Sequence, residues 1–153
     1  MQAFLSPDAK VIDFRKKSSF LFLKLSLYLH NTPFQIGENM NIELIREYCL
    51  GKPRVTESFP FDEVTLVFKV AGKIFVLLNL DGNLSINLKC DPEKALELRE
   101  HYPEVRPGYH MNKRLWNTVL LDGTLDNDMV KSWIDDSYNL VVAKLPKNVR
   151  EKL

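Results

Sequence analysis

The sequence has few of the residues that build covalent or metal-bound frameworks. Only two of its 153 residues are cysteines, Cys49 and Cys90, and only three are histidines. The two cysteines lie far apart, without C-x-x-C spacing and without clustered histidines beside them. This pattern argues against a disulfide framework or a zinc site and is typical of reduced thiols in a cytoplasmic protein. We therefore expect no metal and no other cofactor.

The sequence also lacks an excess of charge and a long apolar run. It has 21 Lys and Arg residues against 20 Asp and Glu residues, a net charge of +1. That balance implies no bulk attraction to nucleic acid or to a membrane surface. No run approaches the roughly 18 consecutive apolar residues of a membrane-spanning helix, so we expect no membrane partner. The length suits one domain with a single core.

Residues 1–39 differ in character from the rest, and three interpretations stay open. The basic triplet "RKK" before the apolar run "FLFLKLSLYL" suggests a signal peptide, but Lys24 interrupts the run and no small-x-small cleavage site follows. The segment can instead be a disordered or loosely docked extension, or lie upstream of a true start at Met40. We predict one of these last two, with a single domain over residues 40–153. The segment holds five basic and three acidic residues, so the domain keeps 16 basic and 17 acidic residues.

Alternating apolar residues predict three consecutive antiparallel strands. "VTLVFKV" (64–70) alternates apolar and polar residues, as a half-buried strand does. "KIFVLLNL" (73–80) is apolar on both faces, which predicts a central strand covered on both sides. "LSINLK" (84–89) alternates again, with its Ser, Asn and Lys outward. The Ala-Gly and Asp-Gly pairs between these stretches predict tight hairpin turns.

Capping residues mark the predicted helices. Helices of sequence "IELIREYCL" and "PEKALELREH" begin after Asn41 and Asp91, and a long helix with a broad apolar stripe begins after Asp126. Pro146 ends the long helix and starts a short last one. A fourth strand, "LWNTVLL", lies between the second and third helices. This order predicts an α+β fold, in which a three-strand meander and a returning strand form an antiparallel sheet packed against helices.

The loop before the fourth strand carries many side chains that are able to contact a ligand. Its stretch "YHMNKRLWN" mixes aromatic, amide, basic and imidazole groups, and a second basic group follows the long helix. The candidate binding residues are Arg106, Tyr109, His110, Asn112, Lys113, Arg114, Trp116 and Asn117 in the first cluster, and Lys144, Lys147 and Arg150 in the second. If the two clusters share a face, the domain presents a basic patch despite its balanced charge.

Three interpretations of the first cluster stay open. It can contact DNA, with its cations on phosphates and with Asn112 and Asn117 on base edges. It can instead form a pocket with Trp133 and Tyr138 of the long helix, which would suit a small anionic ligand or a protein partner. It can also be structural, with its aromatic rings partly buried and its amides bonded to loop backbone.

Catalysis finds little support in the sequence. Asp135 and Asp136 are adjacent on a helix and point about 100° apart, so they form no shared-proton dyad. Ser137 lacks the G-x-S-x-G context of a nucleophile, and His110 has no identifiable nucleophile to activate. We therefore expect a protein that is not an enzyme.

Acidic side chains near the start of the domain are possible cation ligands. Glu43 and Glu47 share one face of the first predicted helix, with Glu57 and Asp62 following. Arg46 is interleaved with them, and hard cations need several convergent oxygen ligands. A solvated helix face is the interpretation that we adopt.

Three separated motifs resemble the MmcQ/YjbR family of small bacterial proteins. They are "FPFDEVTLVFKVAGKIF", "YHMNKRLWNTV" and "DSYNLVVAKLPK", and the resemblance covers about residues 40–152. It implies a frataxin-like fold, with a twisted antiparallel sheet covered by helices, and a DNA-binding role through a double-wing arrangement of strands and hairpins. Leu115 departs from the pattern, which often has an aromatic or imidazole residue there, so one stacking or polar contact is lost. We predict a cytoplasmic, non-enzymatic monomer that binds double-stranded DNA.

Overall fold

The computed structural model of the protein describes residues 39–153, which belong to one compact unit. The predicted extension falls almost wholly outside the described residues and stays a prediction. The helices in the described range are α1 (Ile42–Leu50), α2 (Pro92–His101), α3 (Asn127–Ala143) and α4 (Lys147–Arg150). The strands are β1 (Val55–Ser58), β2 (Thr65–Val70), β3 (Lys73–Asn79), β4 (Ser85–Lys89), β5 (Val105–Pro107) and β6 (Trp116–Leu120).

The predicted α+β architecture is confirmed. The six described strands form one open antiparallel sheet in the order β1-β2-β3-β4-β6-β5. Strands β2, β3 and β4 are the predicted meander, and β6 returns to pair with β4. β5 then pairs with the outer edge of β6, and α3 packs on β3 and β4. The likeness to frataxin stays a prediction.

The predicted Ala-Gly turn and the predicted helix caps adopt the expected conformations, whereas the Asp-Gly pair lies in a longer loop, residues 80–84, between β3 and β4. Ala71 and Gly72 have φ angles of 47° and 79°, as the two central residues of a type I′ hairpin turn require. Asn41 begins α1, and its Oδ1 accepts a hydrogen bond of 2.9 Å from the backbone N–H of Leu44. Asp126 caps α3 by the same kind of bond to its first-turn N–H groups. These local bonds fix where each helix begins.

Helices α2 and α3 cover one face of the sheet at β4 and β6. Leu88 and Val119 are 3% and 1% exposed, and they line a small cavity together with Leu98 of α2 and Trp133 of α3. Since side chains alternate along a strand, Lys89 and Thr118 point to the opposite face. The two faces of these strands therefore have different surroundings.

Ser137 ties α3 to the sheet. Its hydroxyl donates a 2.6 Å hydrogen bond to the carbonyl of Phe75 and accepts a 2.8 Å bond from the N–H of Lys89. Ser137 is fully buried. The pairing of β3 with β4 ends at Val76 and Leu88. Ser137 satisfies the backbone groups of the next residues, Phe75 and Lys89, which the sheet leaves without a partner there.

The structure differs from the sequence-based prediction in two strands and one side chain. β1 lies within "GKPRVTESFPF", which the prolines indicated to be irregular, and β5 lies within the predicted loop before the fourth strand. Both are edge strands with one pairing neighbour, and such strands are short and lack a fully apolar face. Ser85 was predicted to point outward but is only 8% exposed.

Both cysteines are free and buried. Burial raises the pKa of the Cys49 thiol to about 12, and it also raises the pKa of Cys90. Since the thiolate is the reactive form, both thiols are inert near neutral pH. Separately, none of the helices within residues 39–153 has the length and apolar character that crossing a membrane requires.

Candidate nucleic-acid interface

The pairing of β4, β6 and β5 places polar side chains in two rows on one face of the sheet. Lys89 lies opposite Trp116, and Asn87 lies opposite Thr118, which lies opposite Arg106 on β5. Positions two apart on a strand share a face, so all five side chains lie on the face opposite to Leu88. We call these five residues the polar sheet patch.

Lys89 connects the two predicted basic clusters. Its Nζ lies 5.6 Å from the ring centroid of Trp116 in the first cluster. Burial lowers the pKa of Lys89, and the positive charge of Lys144 in the second cluster lowers it further. Such repulsion requires the two amines to be near each other. Lys89 therefore contacts the first cluster at Trp116 and lies within electrostatic range of Lys144 in the second cluster.

The loop between β5 and β6 presents two aromatic rings. Tyr109 is 74% exposed, and its ring centroid lies 4.0 Å from that of the exposed His110, with the planes inclined by 54°. His110 has a φ of 54°, a left-handed conformation that histidine tolerates better than branched residues do. The N–H of Tyr109 donates to Thr118 Oγ1 at 3.2 Å. The loop tip is thus joined to the polar sheet patch.

Backbone contacts hold the base of this loop closed. Gly108 donates its N–H to the carbonyl of Trp116 at 2.9 Å. A Cβ on Gly108 would lie 2.9 Å from Cβ of Trp116, so the close approach requires glycine. The Asn112 carbonyl accepts the N–H groups of Leu115 and Trp116, each at 3.0 Å, and Asn112 Oδ1 accepts the N–H of Arg114. Asn112 therefore shapes the loop with its acceptor groups.

Arg99 of α2 reaches the same loop from the helix side of the sheet. Its Nε donates to Asn117 Oδ1 at 2.7 Å. Its Nη2 donates to the carbonyl of Lys113 and to that of Trp116 at 3.2 Å. One guanidinium thereby fixes both the cationic part of the loop and the start of β6.

The structure corrects the predicted role of Asn117. It is 2% exposed, on the helix-covered face, where it bonds to Arg99 and donates to the carbonyl of Ala95 at 3.5 Å. Because side chains alternate along a strand, the side chain of Asn117 points to the opposite face from those of Trp116 and Thr118. Asn117 therefore supports the loop from inside the fold and is not available to an external ligand.

The remaining candidate cations are on the surface. Arg106, Lys113, Arg114, Lys144 and Arg150 are exposed. Within residues 39–153, no acidic side chain forms an ion pair with any of these five. Lys147 differs, since its Nζ lies 3.7 Å from the carboxylate of Glu151. The first cluster, Lys144 and Arg150 are therefore the stronger anion-binding groups.

The acidic residues that were considered for catalysis have structural partners. Asp135 accepts hydrogen bonds from the Tyr48 hydroxyl and from Lys52. Burial and the bonded Asp135 together raise the pKa of Tyr48 to about 12. Asp136 pairs with Lys94 at 2.5 Å. These bonds join α3 to α1 and to α2, and they leave no adjacent carboxylates that share a proton.

Arg46, which lies between the acidic residues Glu43 and Glu47 of α1, ties this helix to the sheet. Arg46 donates to both carboxylate oxygens of Glu57 on β1, at 2.7 and 2.5 Å. In the described part of the chain, no group of three or more His, Cys, Asp or Glu side chains is placed to hold a metal ion. A bidentate pair of this kind orients α1 on β1.

The predicted ligand pocket does not form as expected in this region. Trp133 packs edge-on against Tyr102, with centroids 5.2 Å apart, and Tyr138 packs against Phe75 and bonds to the Pro53 carbonyl. Asn117 and Trp133 line a cavity of about 10 Å³, which is room for about one water molecule. Neither aromatic residue of α3 therefore faces Tyr109, and this cavity is too small for a metabolite.

Sequence reasoning missed four residues of this region. Lys89, Asn87 and Thr118 belong to the polar sheet patch, and Arg99 holds the loop. The alternation of "LSINLK" does direct Asn87 and Lys89 outward, so that signal was present. What brings them beside Trp116 is the pairing of β4 with β6. It joins residues that are 27 to 35 positions apart in the sequence and has no local sequence signature.

Together, the fold and the site define a small α+β domain with an open antiparallel sheet and a polar, aromatic loop at one edge. The family model for YjbR matches residues 50–140 of the chain. This protein therefore belongs to the YjbR family, as its motifs predicted.

Relatives from bacteria support this assignment. The chain is 39% identical to a protein of Escherichia coli O157:H7 named YbdF over 112 residues, which covers 72% of this chain and 92% of that one. It is 34% identical to YjbR of Escherichia coli K12 over 115 residues, covering 74% and 98% respectively. Both relatives carry the description "uncharacterized", so they supply no activity.

Solved structures show the same fold. A crystal structure of a Deinococcus radiodurans protein superposes with a TM-score of 0.69 at 39% identity, covering 73% of this chain and 86% of that one. A Pseudomonas syringae protein superposes with a TM-score of 0.59 at 32% identity, covering 66% and 98%. The family and fold are thus shown, and the function must be argued from the site.

Proposed function

We propose that this chain is a DNA-binding protein that uses the polar sheet patch and the β5–β6 loop. One observation carries the proposal: the Lys89 amine lies 5.6 Å from the ring centroid of Trp116 in the first cluster, and the positive charge of Lys144 in the second cluster also acts on it. This arrangement supports a shared surface for the two basic clusters, although the described domain has slightly more acidic than basic residues. Phosphate contacts from clustered cations can supply affinity without a large net charge.

The types of side chain in this surface suit DNA. Arg106, Lys113 and Arg114 are exposed cations, which bind phosphate oxygens. The rings of Tyr109 and Trp116 lie among them and can contact bases or sugars. A surface for a neutral partner would gain nothing from these three cations, which the described acids leave unpaired.

The proposal describes a binding protein and not an enzyme. Ser137 is buried and uses its hydroxyl for two backbone hydrogen bonds. Asp135 and Asp136 are bonded to basic and hydroxyl side chains. His110 contacts the ring of Tyr109. We further propose a monomer in the cytoplasm, since the buried, inert thiols suit a reducing compartment.

The experiment is a fluorescence anisotropy titration at low salt with one labelled oligonucleotide, in single-stranded and duplex form. Exchanging Lys113 and Arg114 together with Lys147 and Arg150 for Gln is expected to weaken binding about tenfold or more, because several phosphate contacts are lost. Circular dichroism should show an unchanged fold, since all four side chains are exposed.

The matched control removes two charges from elsewhere. Arg54 precedes β1 at the opposite edge of the sheet, and Lys131 lies on α3 beside Asp128. The double variant Arg54→Gln with Lys131→Gln should bind like the unmodified protein, whereas Lys113→Gln with Arg114→Gln should not. If neither form of the oligonucleotide binds the unmodified protein at low salt, the proposal is wrong.

A further inference from the structure

We infer that the site takes single-stranded DNA in preference to duplex, with unstacked bases against Tyr109 and Trp116 and phosphates on the surrounding cations. This inference rests on the proposed function and deepens it. It departs from the double-stranded partner that the sequence suggested. The observations that carry it are the character of the helix surfaces, the rings at the loop tip and the geometry of the polar sheet patch.

The long helices offer nothing that suits a major groove. A helix that enters the major groove of duplex DNA presents cationic and amide side chains to base edges and phosphates. The exposed residues of α2 include Glu93, Glu97 and Glu100, and α1 exposes Glu47. These carboxylates would repel phosphate. The exposed residues of α3 are Asp128, Ser132, Asn139 and Ala143, none of them cationic. α4 does expose basic side chains, but it has only four residues, which is about one turn.

The tip of the β5–β6 loop presents aromatic side chains, whereas a protein that binds the minor groove would present cationic ones there. Narrow minor grooves attract Arg and Lys through their negative potential. The tip instead presents Tyr109, 74% exposed, with His110 against it at 4.0 Å. Exposed rings that stand apart from the core are the usual platforms for bases that are already unstacked.

The polar sheet patch repeats the same combination of ring and cation. Trp116 is half-buried and has the Lys89 amine 5.6 Å from its ring centroid, so one ring face is already taken by a cation. A base that stacks on the accessible part of the ring would place its phosphate near Lys89. Few cations are required here, since a single strand carries less charge per unit length than a duplex and binds through stacking as well as through phosphates.

The test measures the binding of the full chain by fluorescence anisotropy at low salt. It compares single-stranded oligothymidine with a duplex of the same length, formed from oligothymidine and oligoadenine. We expect at least tenfold tighter binding of the single strand. Tyr109→Ala should weaken single-strand binding about tenfold, the typical loss for one stacked base, while Tyr109→Phe keeps the ring and should bind normally. Tyr109 is exposed, so its truncation does not endanger folding.

A matched control separates stacking from a general loss of exposed apolar surface. Phe61 is 64% exposed and lies between β1 and β2, on the side of the sheet away from β5. Phe61→Ala should leave binding unchanged. Quenching of the tryptophan fluorescence by oligothymidine gives a second readout, since Trp116 is half-buried whereas Trp133 is only 6% exposed.

Each outcome bears on the inference. Tighter single-strand binding that depends on the Tyr109 ring supports it. Equal or tighter duplex binding, no effect of Tyr109→Ala, or an equal loss in Phe61→Ala overturns it while leaving DNA binding in place. Absence of binding to both forms overturns the proposed function itself, and this inference with it.

Discussion

At the scale of single residues, Lys89 shows how the fold creates a property that the sequence does not display. The residue ends a strand and its side chain points away from the helices, yet burial and the neighbouring Lys144 lower the pKa of its amine. Because its pKa in the folded state lies below the unfolded value of 10.5, the charged amine destabilises the folded protein. That cost is fully present below the folded pKa and disappears as the pH rises through the unfolded value.

Removing the charge of Lys144 should raise the pKa of Lys89. Lys144→Gln takes away the repulsion that helps to lower it, and the exposed side chain of Lys144 has no role in packing. NMR titration of the Lys89 side-chain Cε and Hε signals measures the change. Lys147→Gln serves as the control, since Lys147 is not among the causes of the shift. An unchanged Lys89 pKa in Lys144→Gln would show that the two clusters do not meet.

At the scale of elements, the hydroxyl of Ser137 adds two hydrogen bonds to the apolar packing of α3 on the sheet. Ser137→Ala would leave the Phe75 carbonyl and the Lys89 N–H without their partner inside the fold. A buried backbone group without a partner costs about 1–3 kcal/mol, so we expect the free energy of unfolding to fall by about 2–4 kcal/mol. Urea denaturation measures it. Ser132→Ala, at an exposed position on the same helix, should change stability by less than about 0.5 kcal/mol.

Arg99 should control the order of the β5–β6 loop. Arg99→Gln removes the guanidinium that bonds to Lys113, Trp116 and Asn117, so the loop amides should exchange with solvent faster. Hydrogen exchange across residues 108–117 measures this change. Glu100→Gln alters the exposed neighbouring position on α2 and should leave exchange unchanged. If the loop keeps its protection in Arg99→Gln, its own backbone bonds suffice to hold it.

The elements also show what the sequence could predict. The meander, the long helix and the caps follow from strong local signals, because alternation, apolar stripes and capping side chains act over a few residues. β1 and β5 were missed because each is short and is defined by its pairing with a neighbour instead of by its own pattern. The candidate site, too, could be predicted only where its residues are close in the sequence. The loop residues are adjacent in sequence, whereas Lys89 and Arg99 join them only through tertiary contacts.

At the scale of the whole molecule, the balance of charge limits the electrostatic contribution to DNA binding. The described domain has nearly equal numbers of acidic and basic residues, so its affinity must come from local contacts instead of from the overall field. About three to five cations lie near the loop and the polar sheet patch. For a single strand, each neutralised phosphate contributes about −0.7 to the slope of log K against log salt concentration.

We therefore expect a slope of about −2 to −3.5 for oligothymidine, shallow compared with that of a strongly basic protein. Lys113→Gln with Arg114→Gln should reduce its magnitude by about 1.4, since two contacts are lost at about 0.7 each. Arg54→Gln with Lys131→Gln should leave it unchanged, although the change in net charge is the same. Anisotropy titrations over a series of salt concentrations give all three slopes. Equal slopes for the two double variants would mean that net charge, and not this surface, determines binding.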